Sequence, residues 1–208
     1  MNFIKKSLCT LFLTATCSLF CVPQASEAMN LYRAKQYKEA IKVCEAKIKV
    51  NPSDIESHTI LCWSLLLTGQ YLQAEERAQN ARKINSTDIR LIEALAEAKY
   101  RLGKNDEALT YFQKYVSSAR ESDGDFGLSY FFMGEIYIKQ AKYQHADIAL
   151  TTAVRSKPQN ATWWTRLGYA REQCKSYASA VEAYNKALSV NPSYADAVKG
   201  KERCQTHL

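Results

Sequence analysis

Glycine and proline are scarce in this chain, whose 208 residues include only 7 Gly and 4 Pro. Both residues punctuate tight turns and strand ends, so their scarcity disfavours a sheet-rich fold and favours long helices joined by short turns. Hydrophobic residues make up 47% of the chain and charged residues 24%, which is the composition of a globular protein. The length suits one ordinary domain or one repeat array.

Sequence motifs that carry catalysis or metal binding are missing as well. The chain has no glycine-rich phosphate loop and no His-Glu metal-binding helix motif. Its three histidines, His58, His145 and His207, lie far apart at unrelated positions, and its carboxylates form no recognisable acid–base couple. We therefore predict that the protein is not an enzyme and that it needs neither a cofactor nor a metal.

Charge of one sign is not concentrated anywhere along the chain, although the net charge is +7. The densest basic cluster, Lys199, Lys201 and Arg203, is interrupted by Glu202. Such a cluster is typical of the solvated face of a last helix, so we predict no nucleic-acid binding.

Residues 1–25 differ from everything that follows. Lys5 and Lys6 precede an uncharged run from Leu8 to Val22, and small residues follow it, including Ala25. This order is that of a secretory signal peptide, and the apolar run is shorter than the roughly 20 residues that span a bilayer. We therefore predict export to the periplasm or cell envelope.

The fate of this segment has three alternatives. Cleavage after Ala25 or Ala28 would release the mature chain. Retention would leave a membrane anchor, and Cys17 or Cys21 would carry lipid in a lipoprotein, although neither follows the small residue that a lipobox requires. A cytosolic protein is the remaining alternative.

An internal repeat runs through the rest of the chain. Its most regular mark is a series of alanines separated by 34, 34, 38 and 34 residues: Ala40, Ala74, Ala108, Ala146 and Ala180. Twelve residues before each alanine stands another small residue: Ala28, Cys62, Ala96, Gly134 and Gly168. Three residues before four of the alanines stands a tyrosine: Tyr37, Tyr71, Tyr143 and Tyr177. A period in this range is the signature of a repeat architecture.

The period of 34 with these marks resembles the tetratricopeptide repeat, in which each unit is an antiparallel pair of helices, A and B. The resemblance implies an all-α fold: a right-handed α-solenoid of about five repeats with a C-terminal capping helix. The repeats would cover about 26–52, 53–86, 87–120, 127–158 and 159–192, and the capping helix 194–206.

Helix packing gives the pattern a physical cause. The two series of small residues would lie where helices A and B cross, because axes 8–10 Å apart leave no room for a larger side chain. Gly69 and Gly103 would let the chain reverse between A and B. The longer third spacing predicts an extended loop within 120–126.

Two cysteines, Cys44 and Cys62, occupy core positions of the repeat that the resemblance implies. They would be buried free thiols, which behave as small hydrophobes, or a disulfide if the compartment is oxidising. Both alternatives stay open at this point.

The resemblance also implies that the A helices line a concave groove that binds ligand. Reading the family's contact positions in this sequence gives the residues predicted to bind a partner: Trp63, Leu66, Glu97, Tyr100, Arg101, Phe131, Glu135, Arg166 and Tyr169. Aromatic and arginine side chains dominate binding energy where they become buried. Some of these rings would instead pack against neighbouring helices and never meet a ligand.

The predicted function is therefore a non-catalytic scaffold that binds a peptide or partner protein, in envelope assembly or secretion. A structural subunit of a permanent or self-associated envelope complex is one alternative, and a chaperone for secreted substrates is another. The partner is a protein or peptide rather than a nucleic acid, and the N-terminal segment would supply any membrane contact.

Overall fold

The computed structural model describes residues 26–122 and 125–208, and the predicted targeting segment 1–25 lies outside the described residues. All regular structure within these ranges is helical. The helices are α1 Glu27–Arg33, α2 Tyr37–Val50, α3 Ile55–Leu67, α4 Tyr71–Ile84, α5 Ile89–Arg101, α6 Asn105–Val116, α7 Phe126–Lys139, α8 Tyr143–Ser156, α9 Ala161–Gln173, α10 Tyr177–Val190 and α11 Ala195–Gln205.

The helices stack as antiparallel pairs in chain order, so the predicted all-α solenoid with a C-terminal helix is confirmed. The A helices are α1, α3, α5, α7 and α9, and each packs against its own B helix and against the A helix of the next repeat. B helices of neighbouring repeats contact each other through long side chains, such as Arg77 of α4 with Glu45 of α2 at 3.4 Å, but their backbones lie farther apart than those of successive A helices. The A helices therefore form the inner side of the curve, and the B helices form its outer side.

The predicted helix crossings lie at the small residues. All five repeat alanines, from Ala40 to Ala180, are fully buried. A Cβ on Gly134 would lie 2.5 Å from Leu150, and one on Gly168 would lie 2.7 Å from Tyr184. Large side chains of the B helices thus fill the space that the small residues leave, which explains the spacing of the sequence pattern.

Reversal of the chain between A and B uses the left-handed backbone region in every repeat. Gly69 and Gly103 both have φ +77°, as their predicted role requires. The same turn is made by Lys35, Ala141 and Lys175, with φ of 60°, 55° and 59°. The conformation is therefore imposed by the helix pair, since three of the five turns adopt it without glycine.

The starts of several A helices are fixed by side-chain caps. The side chains of Ser26, Asp54, Asp88 and Asn160 accept hydrogen bonds from backbone N–H groups of α1, α3, α5 and α9. Such caps satisfy amide groups that have no partner within the helix. The B helices α2, α4, α6, α8 and α10 begin without side-chain caps.

The longest connection lies between α6 and α7, where the third spacing predicted a loop. Residues 117–125 span it, whereas the other B-to-A connections are as short as 51–54. Residues 123 and 124 lie outside the described ranges.

The last helix closes the far end of the array. Ala197, Gly200 and Cys204 of α11 are buried, while Lys199 and Glu202 are exposed. This arrangement covers the apolar end of a stack with a polar outer face. No helix within the described residues is both long enough and apolar enough to cross a membrane.

Candidate protein-interaction face

The inner surface of the solenoid carries the residues predicted to bind a partner. We call this surface the A-face and define it by Trp63 on α3, Tyr100 on α5, Phe131 on α7 and Tyr169 on α9. All four rings are half-buried, so each offers part of its surface. Successive A helices touch, and the four side chains therefore belong to one continuous surface.

Ion pairs order the polar side chains of the A-face. Arg166 donates to the Glu135 carboxylate of the neighbouring A helix at 2.5 Å, and Arg101 donates to Glu97 at 2.8 Å. The Arg166 guanidinium also lies 5.3 Å from the centre of the Tyr169 ring. These four charged residues were all predicted from the sequence. Each of these charges is paired with an opposite charge of the chain. The pairs fix the arginine side chains, and Arg166 in turn contacts the Tyr169 ring.

Aromatic contacts link α5, α7 and α9. Phe131 stacks on Trp163 with ring centres 5.2 Å apart and an interplanar angle of 13°. Tyr100 packs on Phe132 at 4.7 Å. Phe131 and Tyr100 thus pack on neighbouring helices, and the Lys139 ammonium lies 4.5 Å from the centre of the Tyr100 ring, so each ring is only partly accessible. The two expectations for these rings, packing and binding, are both compatible with this geometry.

Leu66 does not belong to the accessible part of the A-face. Its side chain is only 6% exposed and lies in the core cluster with Leu61, Leu65 and Leu95. The family pattern predicts that Leu66 contacts a ligand, but its side chain packs between the helices instead. Leu66 therefore contributes packing and offers almost no surface to a partner.

A pocket of 580 Å³ opens on the A-face between α3, α5 and the loop that follows α6. Its lining combines two aromatic rings with five charged side chains: Trp63, Asp88, Ile89, Arg90, Glu93, Tyr115, Arg120, Ser122 and Asp125. Of the nine predicted partner-binding residues, only Trp63 lines it. We call it the Glu93 pocket.

Glu93 is the most unusual residue of this pocket, because it is 5% exposed and forms no ion pair with any described residue. Burial raises the pKa of its carboxyl well above the usual range, and the nearby Glu97 and Asp125 charges add to the shift. The Trp63 indole opposes the shift, but its N–H does not reach hydrogen-bond geometry with an acceptor in the described chain.

The sequence contains an indication that Glu93 is unusual, although the repeat pattern does not single this residue out. Glu93 interrupts the apolar run Leu91, Ile92, Ala94 and Leu95, all of which are buried. A carboxylate within such a run has either a buried partner or a function. No partner could be assigned from the sequence, because the pocket walls come from distant segments.

The negative field of the pocket extends to the first A helix. Tyr32 packs on Trp63 with ring centres 5.7 Å apart. Burial, together with the charges of Asp125, Tyr37, Glu93 and Glu97, raises the pKa of the Tyr32 hydroxyl to about 12. Acidic side chains of the loop and of α5 thus act on the α1 end of the A-face.

The histidines have structural contacts. His58 lies 3.0 Å from the Pro52 carbonyl, His145 packs on Tyr137, and His207 stacks on Tyr177 with ring centres 4.4 Å apart. Within 26–122 and 125–208 no three His, Cys, Asp or Glu side chains are grouped as metal ligands. Cys44 and Cys62 are buried free thiols, not a disulfide, in this structure.

The fold and the A-face define a helical-repeat protein whose inner surface is the natural place for a partner. Residues 33–115 match the family model described as anaphase-promoting complex, cyclosome, subunit 3. Residues 133–197 match a family model described as tetratricopeptide repeat. The fold is therefore that of a tetratricopeptide-repeat solenoid, and the matched family models support the resemblance found in the sequence.

Similarity to individual proteins is distant. The chain is 27% identical over 135 residues to a BBSome complex member BBS4 homolog of Drosophila melanogaster, a match that spans 59% of this chain and 27% of that relative. YrrB, described as a TPR protein with an unusual peptide-binding site, superimposes with a TM-score of 0.68 at 16% identity and covers 84% of this chain and 88% of its own. MamA of Desulfovibrio magneticus has a TM-score of 0.68 at 16% identity, with 81% and 93% covered.

Proposed function

We propose that the protein is a non-catalytic scaffold that binds an extended segment of a partner protein along the A-face. The carrying observation is the continuous inner surface of touching A helices, with half-exposed rings on α3, α5, α7 and α9. Rings fixed by neighbouring contacts lose little conformational freedom on binding, which favours affinity. The peptide-binding site named in the description of YrrB supports the same use of this fold.

We also propose that the chain acts outside the cytosol, in the periplasm or cell envelope, as part of assembly or secretion machinery. This proposal rests on the order of charged, apolar and small residues in 1–25. Fusion of residues 1–25 to a reporter that is active only after export tests it. Activity of the fusion, lost when Leu11, Leu13 and Leu19 are replaced by Asp, is the expected result. An inactive fusion would contradict export.

A second candidate is a subunit of a permanent complex. The family model matched by 33–115 is described as a subunit of a complex, and the Drosophila relative as a member of one. In that case the A-face would be covered throughout the life of the protein. Light scattering of the purified chain separates the two, because a transient binder is expected as a monomer and a structural subunit as a stable oligomer or an insoluble chain.

The A-face is tested by binding of the full chain to an array of extended peptides and by crosslinking in the native cell. The variant carries Trp63→Ala with Phe131→Ala. A matched control carries Leu72→Ala with Ile148→Ala, which removes two exposed apolar side chains from B helices. Circular dichroism and a urea titration establish that both variants are folded.

Loss of about tenfold or more in affinity is expected for the A-face variant, because central aromatic residues dominate binding energy. The control variant should keep its partners. If the folded A-face variant binds everything that the unchanged chain binds, the A-face is not the binding surface.

A further inference from the structure

We propose that the Glu93 pocket receives the side chain of a lysine or arginine, with Glu93 as the anion that pairs with it. As part of the partner segment this inference rests on the proposed function, but the pocket itself can be tested without the partner. The chemistry that points to a cation is a buried carboxylate, an aromatic wall and a lining with three acidic side chains, Glu93 included, against two basic ones.

Charge balance in the pocket favours a positive guest. Arg90 is already engaged, since its Nε and Nη2 atoms donate to the Asp88 carboxylate at 3.1 and 2.7 Å. Arg120 and Asp125 line the pocket from the loop that follows α6, and Arg120 is itself not a free cation. Glu93 is left as a carboxylate with no cation of the described chain to pair with. An ionised carboxylate removed from water is costly unless an opposite charge reaches it.

The shape and lining of the pocket suit a long basic side chain. Its volume of 580 Å³ exceeds that of a single side chain, and Trp63 and Tyr115 supply apolar surface for a methylene stem. Trp63 also presents an indole ring, the best aromatic partner for a cation. Tyr32 packs against that ring from α1 and so restricts its movement.

Other guests fit this lining less well. An acidic side chain would lie beside Glu93 and Asp125 and would be repelled by both. An apolar side chain would exclude the remaining water from the Glu93 carboxyl without replacing its hydrogen bonds. The pocket should therefore bind basic side chains most tightly, neutral ones less tightly and acidic ones least.

The direct test is a titration of the full chain with Nα-acetylarginine N-methylamide, followed by NMR of the Trp63 indole N–H. The neutral analogue in which citrulline replaces arginine is the matched probe. Glu93→Gln is the variant, and Glu76→Gln is its control, because Glu76 is an exposed acid on the B helix α4. Saturable shifts of the Trp63 signal with an affinity on the order of millimolar are expected for the arginine probe alone.

In Glu93→Gln the affinity for the arginine probe should fall by about tenfold or more, while Glu76→Gln binds as the unchanged chain does. Equal shifts with arginine and citrulline, or unchanged affinity in Glu93→Gln, would overturn the proposal. The backbone amide signals of the pocket residues in the unchanged chain and in Glu93→Gln give the same decision if the indole signal is broadened.

The peptide array separates this proposal from the proposed function. Selection of a basic residue at one peptide position, lost in Glu93→Gln with the remaining preferences kept, supports both. Peptides bound with no basic preference would overturn the cation pocket and leave the A-face standing. Arginine binding at Trp63 without any peptide binding would support the pocket and overturn the A-face.

Discussion

The ammonium of Lys99 donates a hydrogen bond of 2.8 Å to the carboxylate of Glu75, and both side chains are almost entirely buried. Lys99 is on α5 and Glu75 on α4, so the pair joins two consecutive repeats. Lys104 donates to the same carboxylate, and Glu107 at the start of α6 accepts from Lys99. The group satisfies charges that would otherwise be very costly between packed helices.

Replacement of Lys99 by methionine should lower the free energy of unfolding by about 3 kcal/mol, because it leaves Glu75 buried with only Lys104 as a partner. Glu107→Gln is the control, since the Glu107 side chain is 59% exposed and should contribute less than about 1 kcal/mol. Urea titrations at neutral pH measure both changes. A smaller effect for Lys99→Met than for Glu107→Gln would show that the buried pair contributes nothing net.

The turn between helices A and B offers a test of backbone strain free of packing effects. A Cβ on Gly103 would meet nothing within 4 Å, yet its φ of +77° is unfavourable for a side chain. Gly103→Ala should therefore lower stability by about 1 kcal/mol. Ala141→Gly, at the equivalent exposed position with φ 55°, should raise stability by up to about 0.5 kcal/mol, since relieved strain exceeds the added entropy of the unfolded chain.

Urea titrations of both variants under one set of conditions give the two differences directly. Opposite signs are expected. If Gly103→Ala instead stabilises the protein and Ala141→Gly destabilises it, alanine is unstrained in the left-handed turn, and the glycines at 69 and 103 are not required by the backbone conformation.

The repeat could be read from the sequence because it depends on residues that recur at fixed spacing. The buried alanines and the glycine turns follow from helix crossings, which repeat with the chain. The same spacing also marks Lys35, Ala141 and Lys175 as left-handed positions, although their residue types conceal it. A repeat pattern therefore predicts the backbone better than residue preferences do.

The Glu93 pocket could not be predicted in this way. Its walls come from α3, α5 and the one connection that breaks the period. Burial of Glu93 depends on how these unrelated segments pack, and no single segment encodes it. The burial of Leu66 has the same origin, since its exposure depends on the packing of neighbouring helices.

Cysteine reactivity distinguishes buried from accessible thiols. Burial raises the pKa of Cys44 to about 11 and that of Cys62 to about 12, and Cys204 is also fully buried. Cys174 is only half-buried. A pulse of iodoacetamide at pH 8, read by mass spectrometry, should label Cys174 first and the three others only after urea unfolds the chain.

The same experiment checks the alternative of a disulfide in the native compartment. Protein isolated from that compartment without reductant should show Cys44 and Cys62 labelled in urea alone. If the two thiols become reactive only when a reductant accompanies the urea, they are bridged there, and the free thiols of this structure represent the reduced form.

The pKa of Glu93 links the proposed pocket to stability. Burial raises the pKa of the Glu93 carboxyl in the folded chain above its value in the unfolded chain. The folded chain is therefore most stable at acid pH, where Glu93 is protonated, and it loses stability as the pH rises through the folded pKa. Glu93→Gln removes this loss. The variant should be more stable than the unchanged chain by roughly 1–3 kcal/mol at neutral pH and equal to it near pH 4.

The charged groups around Glu93 are Arg90 and Glu97 on its own helix, Asp88 at the N-cap of that helix, and Arg120 and Asp125 on the loop. They remain the same in both chains. The difference between variant and unchanged chain therefore reports Glu93. Urea titrations from pH 4 to pH 8 measure it, with Glu76→Gln expected within about 0.5 kcal/mol throughout. A carboxylate that lowers the stability of the unliganded protein is expected in a binding pocket, because a bound cation offsets the free-energy cost of burying the charge. If Glu93→Gln is instead less stable at neutral pH, the carboxylate already has a stabilising partner, and a cation from outside is not needed to balance it.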